Sequence, residues 1–373
     1  MPSFKPTNLW HAEPHTLAKI EIVRRYLYLW FSILGNHSAN RLVYIDGFAG
    51  PGKYTNSEES SPIAALTAAK AALDRPGSGL GSKECCFLFV EKKKEFAEQL
   101  RELISQTSWP TKFKWEVEVG TFEEKVGGIL EQIKKERQQL APTFAFIDPF
   151  GATGLPFSVV ADILSHRSCE VLINLDSDGI GRLVAAQSIE SNRKHLDAIF
   201  GDGTWNSELK PALPMRELTP QVLALYKRRL RSLPNVRYVF AFAMNTRESQ
   251  LNYHLVFASQ HPLGLEKMKE AMKAVDKSGA YSFSDDSVGQ DLLPFDFDAP
   301  GVWAQRMQKA LSGVWRNYEE FQDYALNETP FVNPKSMLRH LFDADKVQVQ
   351  WAGVPARRGS FPEDKIKAIC IVA

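Results

Sequence analysis

The chain has 373 residues, more than one hydrophobic core usually organises, so we expect a larger catalytic-type domain and a smaller appended domain. Its 45 Lys and Arg residues nearly balance its 44 Asp and Glu residues, and the formal net charge is +1. This balance gives no global argument for nucleic-acid binding and none for an acidic tail, so a polyanion would have to bind to local basic patches.

Apolar residues at alternating three- and four-residue spacing predict an amphipathic helix over 15–34. After this helix, short apolar runs alternate with helical patterns, which predicts a doubly wound α/β sheet with ligands at the carboxyl ends of its strands. Ser61-Pro62 is interpreted as a helix cap followed by proline at the first helical position. The predicted strands are 42–45, 85–90, 114–119, 143–147 and 170–175, and the predicted helices between them are 62–73, 95–105, 122–138 and 155–164.

The pattern changes after the fifth strand. Residues 180–233 are helical and polar, which predicts a helical insertion within a first domain that spans 1–290. Apolar runs return at 237–243 and 253–259, and we expect them to form an antiparallel pair that closes the sheet.

The C-terminal residues 300–373 predict a small winged-helix-like domain. The pattern consists of two short helices and a hairpin with a basic tip at Arg357 and Arg358. The predicted elements are helices 318–326 and 333–342 and strands 347–351 and 365–372.

The glycine loop after the first strand fits two nucleotide-binding classes. Residues 47–53 spell G-x-x-x-x-G-K, most of a phosphate-binding loop, whereas residues 46–52 spell D-x-F-x-G-x-G, an adenosylmethionine-binding turn. A phosphate-binding loop needs Ser or Thr after its lysine to hold magnesium, but Tyr54 stands there, and the next helix waits until Ser61. These features favour adenosylmethionine; an ATPase and a plain tight turn are the alternatives.

Residues near the ends of the next strands extend the predicted cofactor site. Glu91 follows the second strand, where a carboxylate would accept hydrogen bonds from ribose hydroxyls, although a solvated acidic residue explains it too. Thr121 and Phe122 follow the third strand and could meet the adenine. His15 and Lys19 lie one helical turn apart and could point into the same site. The predicted cofactor-binding residues are Asp46, Gly47, Phe48, Ala49, Gly50, Gly52, Glu91, Thr121, Phe122, His15 and Lys19.

The fourth strand ends in Asp148-Pro149-Phe150, which we predict to be catalytic. The acid, with the carbonyl at the proline, would accept hydrogen bonds from an exocyclic amino group and orient its lone pair, while the aromatic ring stacks on an extruded base. An Asp-Pro turn followed by a core phenylalanine is the alternative. Farther along, Asn174 lies near the end of the fifth strand, where substrate contacts often occur, but a solvated loop is the favoured interpretation. His254 borders a closing strand and is interpreted as a packed or surface residue, with a general base as the alternative.

Cysteine usage and the N-terminal sequence predict a cytoplasmic protein. The four cysteines lack Cys-x-x-Cys spacing and lie mostly within apolar runs, so we expect reduced core residues and no metal site. The N-terminus has no charged-then-apolar signal pattern, and no uninterrupted apolar stretch has bilayer length, so we expect no membrane partner. The cysteines are Cys85, Cys86, Cys169 and Cys370.

Taken together, these motifs resemble the class I adenosylmethionine-dependent methyltransferases, particularly the N6-adenine branch, whose fourth motif is D-P-P followed by an aromatic residue. The present motif at 148–150 has one proline fewer. More narrowly, residues 14–19, 44–52, 146–151 and 253–259 look like those of the three-Cys-motif partner family. This resemblance implies a Rossmann-like methyltransferase domain that uses S-adenosyl-L-methionine, a C-terminal winged-helix-like domain, and a partner protein with three cysteines in metal-cluster spacing.

The expected function is methyl transfer to an amino group, most simply that of a DNA or RNA base. The alternative is a nucleic-acid-binding accessory with weak or lost chemistry that serves the radical-type three-cysteine partner. The shortened motif at 148–150 and the winged helix favour this alternative. The basic run 227–231 and the pair Arg357 and Arg358 could bind phosphates or form solvated faces.

Overall fold

The computed structural model describes residues 9–57, 59–245, 251–276, 282–284 and 300–372, without the side chains of 251 and 252. These residues fall into two compact units, one comprising 9–276 with 282–284 and the other comprising 300–372. The predicted end of the first domain, at residue 290, lies outside the described residues.

The first unit alternates strands and helices, as the sequence predicts. Four of its helices follow one another between β5 and β6, where we expected a helical insertion. Its strands are β1 (Arg41–Asp46), β2 (Glu84–Glu91), β3 (Phe113–Val119), β4 (Thr143–Ile147), β5 (Cys169–Leu175), β6 (Tyr238–Asn245), β7 (Leu251–Ser259) and β8 (Ser282–Ser284). Its helices are α1 (Pro14–Leu34), α2 (Ser61–Leu73), α3 (Lys94–Ser105), α4 (Phe122–Lys135), α5 (Phe157–Ser165), α6 (Ser177–Ala185), α7 (Glu190–Phe200), α8 (Trp205–Glu208), α9 (Met215–Arg231) and α10 (Pro262–Lys273).

The strands of the first unit form one sheet in the order β3-β2-β1-β4-β5-β7-β6-β8. Strands β1 to β5 pair in parallel, whereas β7 runs antiparallel to both β5 and β6. This arrangement confirms the predicted Rossmann-like methyltransferase sheet and its antiparallel closing pair. Strand β8 was not predicted, because three residues are too short to show a period.

The centre of the sheet is covered on both faces, which explains its composition. All five residues of β4 are buried, and their sequence Thr-Phe-Ala-Phe-Ile is a continuous run without the polar alternation of a half-exposed strand. The buried Glu170 of β5 is the exception, and it accepts hydrogen bonds from the hydroxyls of Tyr26 and Ser259. These bonds fasten α1 to β5 and join the start of β5 to the end of β7.

The C-terminal unit contains three helices followed by an antiparallel hairpin. The segment between its first two helices also pairs with the last strand, through bridges from Ser312 to Ile371 and from Arg316 to Ile369. The first helix was not predicted, and the winged-helix assignment stays a prediction. The elements are α11 (Pro300–Leu311), α12 (Tyr318–Glu328), α13 (Lys335–Asp343), β9 (Val347–Trp351) and β10 (Ile366–Ile371).

Candidate functional site

Two neighbouring cavities lie at the carboxyl ends of β1 to β4. The first cavity, of about 420 Å³, is bordered by the loops after β1 and β4. The second cavity, of about 500 Å³, is bordered by the loops after β1, β2 and β3, and by part of the loop after β4. Trp10, Phe48 and Phe150 line both cavities. The strand order reverses here, because β1 pairs with β2 on one side and β4 on the other, and open α/β sheets bind ligands at this switch point.

The predicted site residues come together around these two cavities, with the exception of Asp46. They belong to the loops after four strands and to α1, so the fold joins segments that are far apart in sequence. The first cavity is lined by His15, Lys19, Phe48, Ala49, Gly50, Gly52, Asp148, Pro149 and Phe150. The second is lined by Gly47, Phe48, Glu91, Thr121, Phe122 and Phe150.

The loop after β1 presents its backbone to the first cavity at Gly50. This residue has φ +65°, a left-handed conformation that favours glycine, and a Cβ built there would meet no atom within 4 Å. Gly47 is needed for a different reason, because its Cβ would lie 2.7 Å from the ring of Phe122. Gly50 therefore leaves open space that a ligand can approach, whereas Gly47 allows the loop to pack on α4.

Glu91 holds this loop against the end of β2. One carboxylate oxygen accepts a hydrogen bond from the Gly50 N–H at 2.9 Å, and the other accepts one from the Lys93 N–H at 2.7 Å. A carboxylate has about four lone-pair positions, so these two bonds leave acceptor capacity toward the second cavity. Thr121, predicted beside it, caps α4 in a capping box with Glu124, which accounts for its position.

Asp46 lies beneath the loop and is fully buried. Burial raises the pKa of its carboxyl group to about 7; hydrogen bonds from Ser61, the Phe48 N–H and Tyr44 oppose the rise, and the charge of Asp148 adds to it. The Phe48 N–H and the Tyr44 hydroxyl each donate to the carboxyl group at 3.2 Å. Asp46 thus supports the loop from below.

The start of α2 differs from the prediction by one residue. The helix begins at Ser61, so Ser60 occupies the cap position. The Ser60 hydroxyl donates to the Gly52 carbonyl at 2.5 Å instead of capping the helix, while Ser61 hydrogen-bonds to Asp46. Both serines therefore stabilise the loop after β1, and the predicted cap at Ser61 is wrong.

Asp148 stands at the centre of a charged network. Its Oδ2 lies 2.5 Å from Nζ of Lys19, and its Oδ1 accepts a hydrogen bond from Nδ2 of Asn174 at 2.6 Å. The Lys19 ammonium also lies 5.4 Å from the ring centroid of Tyr253. Lys19 was predicted to contact the cofactor; it lines the first cavity and is paired there with the predicted catalytic carboxylate.

Asn174 is a site residue that the sequence prediction assigned to a solvated loop. Its Nδ2 faces Asp148, because a carboxylate only accepts hydrogen bonds. Its Oδ1 is consequently buried, and within the described part of the chain it has no donor. A buried acceptor without a donor costs about 1–3 kcal/mol, and such an atom is a candidate for ligand recognition.

His254, by contrast, is a packed residue, which agrees with the prediction of a packed or surface position. Its Nδ1 lies 2.8 Å from the buried hydroxyl of Ser177. Burial, with a smaller contribution from the charge of Lys227, lowers the pKa of the imidazole to about 4. The His254 ring is therefore neutral at physiological pH, and it joins β7 to the start of α6.

The aromatic wall of the cavities contains Phe150 and Trp10, which line both, and Phe96, which lines only the second. Phe150 is 74% exposed, which excludes the core position considered for it. Its ring packs edge-on against Trp10 at a centroid distance of 5.1 Å, and Trp10 packs edge-on against Phe96 at 5.2 Å. A large ring that stays exposed beside a cavity is a typical feature of a binding surface.

Three further observations concern the described residues. They contain no group of three or more histidine, cysteine or acidic side chains placed to hold a metal ion. None of the helices they form combines the length and apolar character that crossing a bilayer requires. All four cysteines are free thiols.

The chain matches no protein-family model and no curated protein. It is similar to an O-methyltransferase from Bacillus cereus in complex with SAH, with 13% identity over 63% of this chain and 80% of that chain and a TM-score of 0.35. A Legionella pneumophila protein shares 11% identity over 70% of this chain and 92% of that chain, with a TM-score of 0.40. An SAH-bound methyltransferase from Podospora anserina shares 11% identity over 69% of this chain and 99% of that chain, with a TM-score of 0.28. Likenesses this weak carry no argument about activity, so the proposed function rests on the residues.

Replacing Asp46 with Asn should change how stability depends on pH. Because the pKa of Asp46 rises from an ordinary value of 3.8 to about 7 in the folded chain, the folded state retains a proton that the unfolded state loses in this window. Asp46 therefore makes the wild type less stable as pH rises from about 4 to about 7, by on the order of a few kcal/mol relative to Asp46→Asn. Urea unfolding at several pH values measures this difference. Asp162→Asn on α5 is the control, and parallel pH profiles for wild type and Asp46→Asn would contradict the prediction.

Proposed function

We propose that this protein is a methyltransferase that uses S-adenosyl-L-methionine and methylates an amino group of a nucleic-acid base. The observation that carries the proposal is the junction of the two cavities at the switch point of the sheet. There the open backbone at Gly50 and the network around Asp148 border the first cavity, the carboxylate of Glu91 borders the second, and three aromatic side chains line both.

The residues of the two cavities fit the parts of this cofactor. The second cavity would hold the adenosine, with Glu91 accepting hydrogen bonds from the ribose and Phe122 forming part of the apolar wall. The first cavity would hold the methionyl part, because Gly50 leaves room for close approach to the backbone. Each cavity has the volume of an ordinary small-molecule site. When bound, the cofactor supplies a methyl group that passes to nitrogen as its carbon–sulfur bond breaks and the nitrogen loses a proton.

The network around Asp148 supports an amino group as the methyl acceptor. Lys19 and Asn174 fix the carboxylate of Asp148 from two sides, so it is oriented before a substrate binds. Asp148 and the Oδ1 of Asn174 are neighbouring acceptors, and an amino group offers two N–H donors whereas a hydroxyl offers one. Such contacts would hold the nitrogen with its lone pair directed toward the first cavity.

A planar base as the substrate is supported by the aromatic wall. The exposed ring of Phe150 follows Asp148 directly after Pro149, so a base held at the carboxylate would lie within reach of the ring. Stacking on an aromatic side chain is how proteins bind a base that has been extruded from its helix.

The loop after β1 does not run directly into α2, which begins at Ser61, and this argues against the ATPase alternative.

A second function is favoured by one observation: both carboxylate oxygens of Asp148 already have partners in the protein. On this alternative the chain is a nucleic-acid-binding accessory with weak or no methyl transfer, which serves a three-cysteine-motif partner. The C-terminal unit would supply the contacts, since Arg357 and Arg358 are exposed between β9 and β10. Arg339 on α13 bonds to the Gly359 carbonyl and so ties this loop to the helix.

Replacing Gly50 with Ala should weaken cofactor binding by about tenfold or more, because the added Cβ occupies the open space of the first cavity. Gly77→Ala is the matched control, since Gly77 has a similar φ of +73° and open space at its Cβ but lies outside both cavities. Both variants carry the same backbone strain of about 1–2 kcal/mol. Calorimetry with S-adenosyl-L-methionine measures the affinity. Absence of binding by the wild type would refute the methyltransferase proposal.

Replacing Asp148 with Asn should lower methyl transfer by about 100-fold or more while cofactor affinity changes little, because the variant loses the charged acceptor for the substrate. The assay uses radiolabelled S-adenosyl-L-methionine with a mixed DNA and RNA extract. Asp178→Asn on α6, which lines neither cavity, is the control. Cofactor binding without transfer to any nucleic acid by the wild type would instead support the accessory function.

Replacing Arg357 and Arg358 together with Ala should weaken nucleic-acid binding and flatten its salt dependence. If each arginine contacts one phosphate, the slope of log K against log salt should fall in magnitude by about 2. Fluorescence anisotropy with a labelled duplex over a range of KCl concentrations measures the slope. Arg193→Ala on α7, outside the C-terminal unit, is the control, and an unchanged slope in the double variant would exclude phosphate contacts by this loop.

A further inference from the structure

The segment before α1, residues 9–13, forms a strap without regular secondary structure. Hydrogen bonds fasten it to the loop after β1. The Thr55 N–H donates to the Trp10 carbonyl at 2.9 Å, the Ala12 N–H donates to the Asn56 Oδ1 at 2.7 Å, and Asn56 Nδ2 donates to the Ala12 carbonyl at 3.0 Å. The strap is thus attached to the far end of the same loop that carries Gly50.

The strap places Trp10 at the boundary between the two cavities. The indole lines both of them, together with Phe48 from the loop after β1 and Phe150 from the loop after β4. It also contacts Phe96 of α3, at a centroid distance of 5.2 Å. A ligand that occupies both cavities therefore has to pass beside the Trp10 ring.

The attachment of the strap is partly open to solvent. Thr55 and Asn56 are both exposed, whereas Ala12, which bonds to Asn56, is buried. Partly exposed hydrogen bonds to a segment without regular secondary structure belong to the part of a structure that opens locally. Trp10 itself remains 36% exposed, so a ligand seated against the ring would bury apolar surface and favour the fastened position.

We propose that Trp10 is a cofactor-binding residue carried on this strap, and that fastening of the strap by Asn56 is required to retain S-adenosyl-L-methionine. The inference rests on the proposed function and adds a residue and an exit route to it. The strap covers the junction of the two cavities after the cofactor has entered, and release of the cofactor requires the strap to open. Its effect therefore falls mainly on the dissociation rate.

The test compares variants that remove the ring with variants that release the strap. Trp10→Ala removes the indole, and Trp10→Phe keeps an aromatic ring as the conservative variant. Asn56→Ala breaks three strap contacts, two with the backbone of Ala12 and one of 3.4 Å with the His11 ring, and Asn56 itself lines neither cavity. Asn235→Ala is its matched control, because the exposed Asn235 also bonds a carbonyl, that of Ser165 at 2.7 Å, away from the site.

The measurement is the dissociation rate of S-adenosyl-L-methionine by stopped-flow competition, with the affinity obtained from calorimetry. We expect Trp10→Ala to release the cofactor about tenfold faster, and Asn56→Ala about threefold to tenfold faster. Trp10→Phe and Asn235→Ala should release it at close to the wild-type rate. Circular dichroism and thermal unfolding confirm that each variant is folded. In the wild type, cofactor should also slow hydrogen exchange of the amides of Ala12 and Thr55.

The outcomes separate this inference from the proposed function. If the wild type binds the cofactor but Trp10→Ala and Asn56→Ala release it at the wild-type rate, the strap inference is wrong and the methyltransferase proposal stands. If these variants lower thermal stability without changing release, the strap is only structural and the inference is again overturned. If the wild type binds no cofactor, both fail together.

Discussion

The position of β1 between two parallel partners is the constraint on which the site depends. Asp46, the last residue of β1, stands opposite Phe89 of β2 and Phe146 of β4 in the register of the sheet. The next acids, Glu91 and Asp148, each follow two residues after these partners. The register thus brings one carboxylate to each side of the loop after β1, with the switch point between them. A shift of one residue in either pairing would turn the side chains of that strand to the opposite face.

The burial of charge then decides what each acid can do. Asp148 is paired with Lys19 and held by Asn174, which offsets the cost of removing its carboxylate from water. Asp46 has hydrogen-bond donors, but none of the described residues forms an ion pair with it, and burial raises the pKa of its carboxyl group to about 7. Two acids at neighbouring strand ends consequently differ in function: Asp148 presents a charge to the first cavity, whereas Asp46 forms a floor beneath the loop.

Much of the fold and of the site could be predicted because local patterns determine them. The strand ends, the glycines and the acidic residues after the strands were enough to predict most of the residues that line the two cavities. The sequence does not show which residues that are far apart in the chain contact each other in the folded protein. Lys19 lies on the buried face of α1, and a buried lysine indicates an acidic partner in the folded protein. The neighbouring sequence does not identify that partner as Asp148. The positions of Asn174 and Trp10 at the site likewise depend on how β5 pairs within the sheet and on how α1 and its strap fold onto it.

The state of Asp148 bears directly on the choice between an active methyltransferase and an accessory. Lys19 and Asn174 use two of the about four lone-pair positions of the carboxylate, so it can still accept a hydrogen bond. The same bond to Asn174 leaves the Oδ1 of that amide buried without a donor among the described residues, a cost that a purely structural network would avoid. A leucine or another apolar residue at position 174 would avoid this cost, and most buried positions of β5 hold such residues. An amino group that donates to both acceptors removes it as well, and so the arrangement favours a site built to bind its substrate's nitrogen.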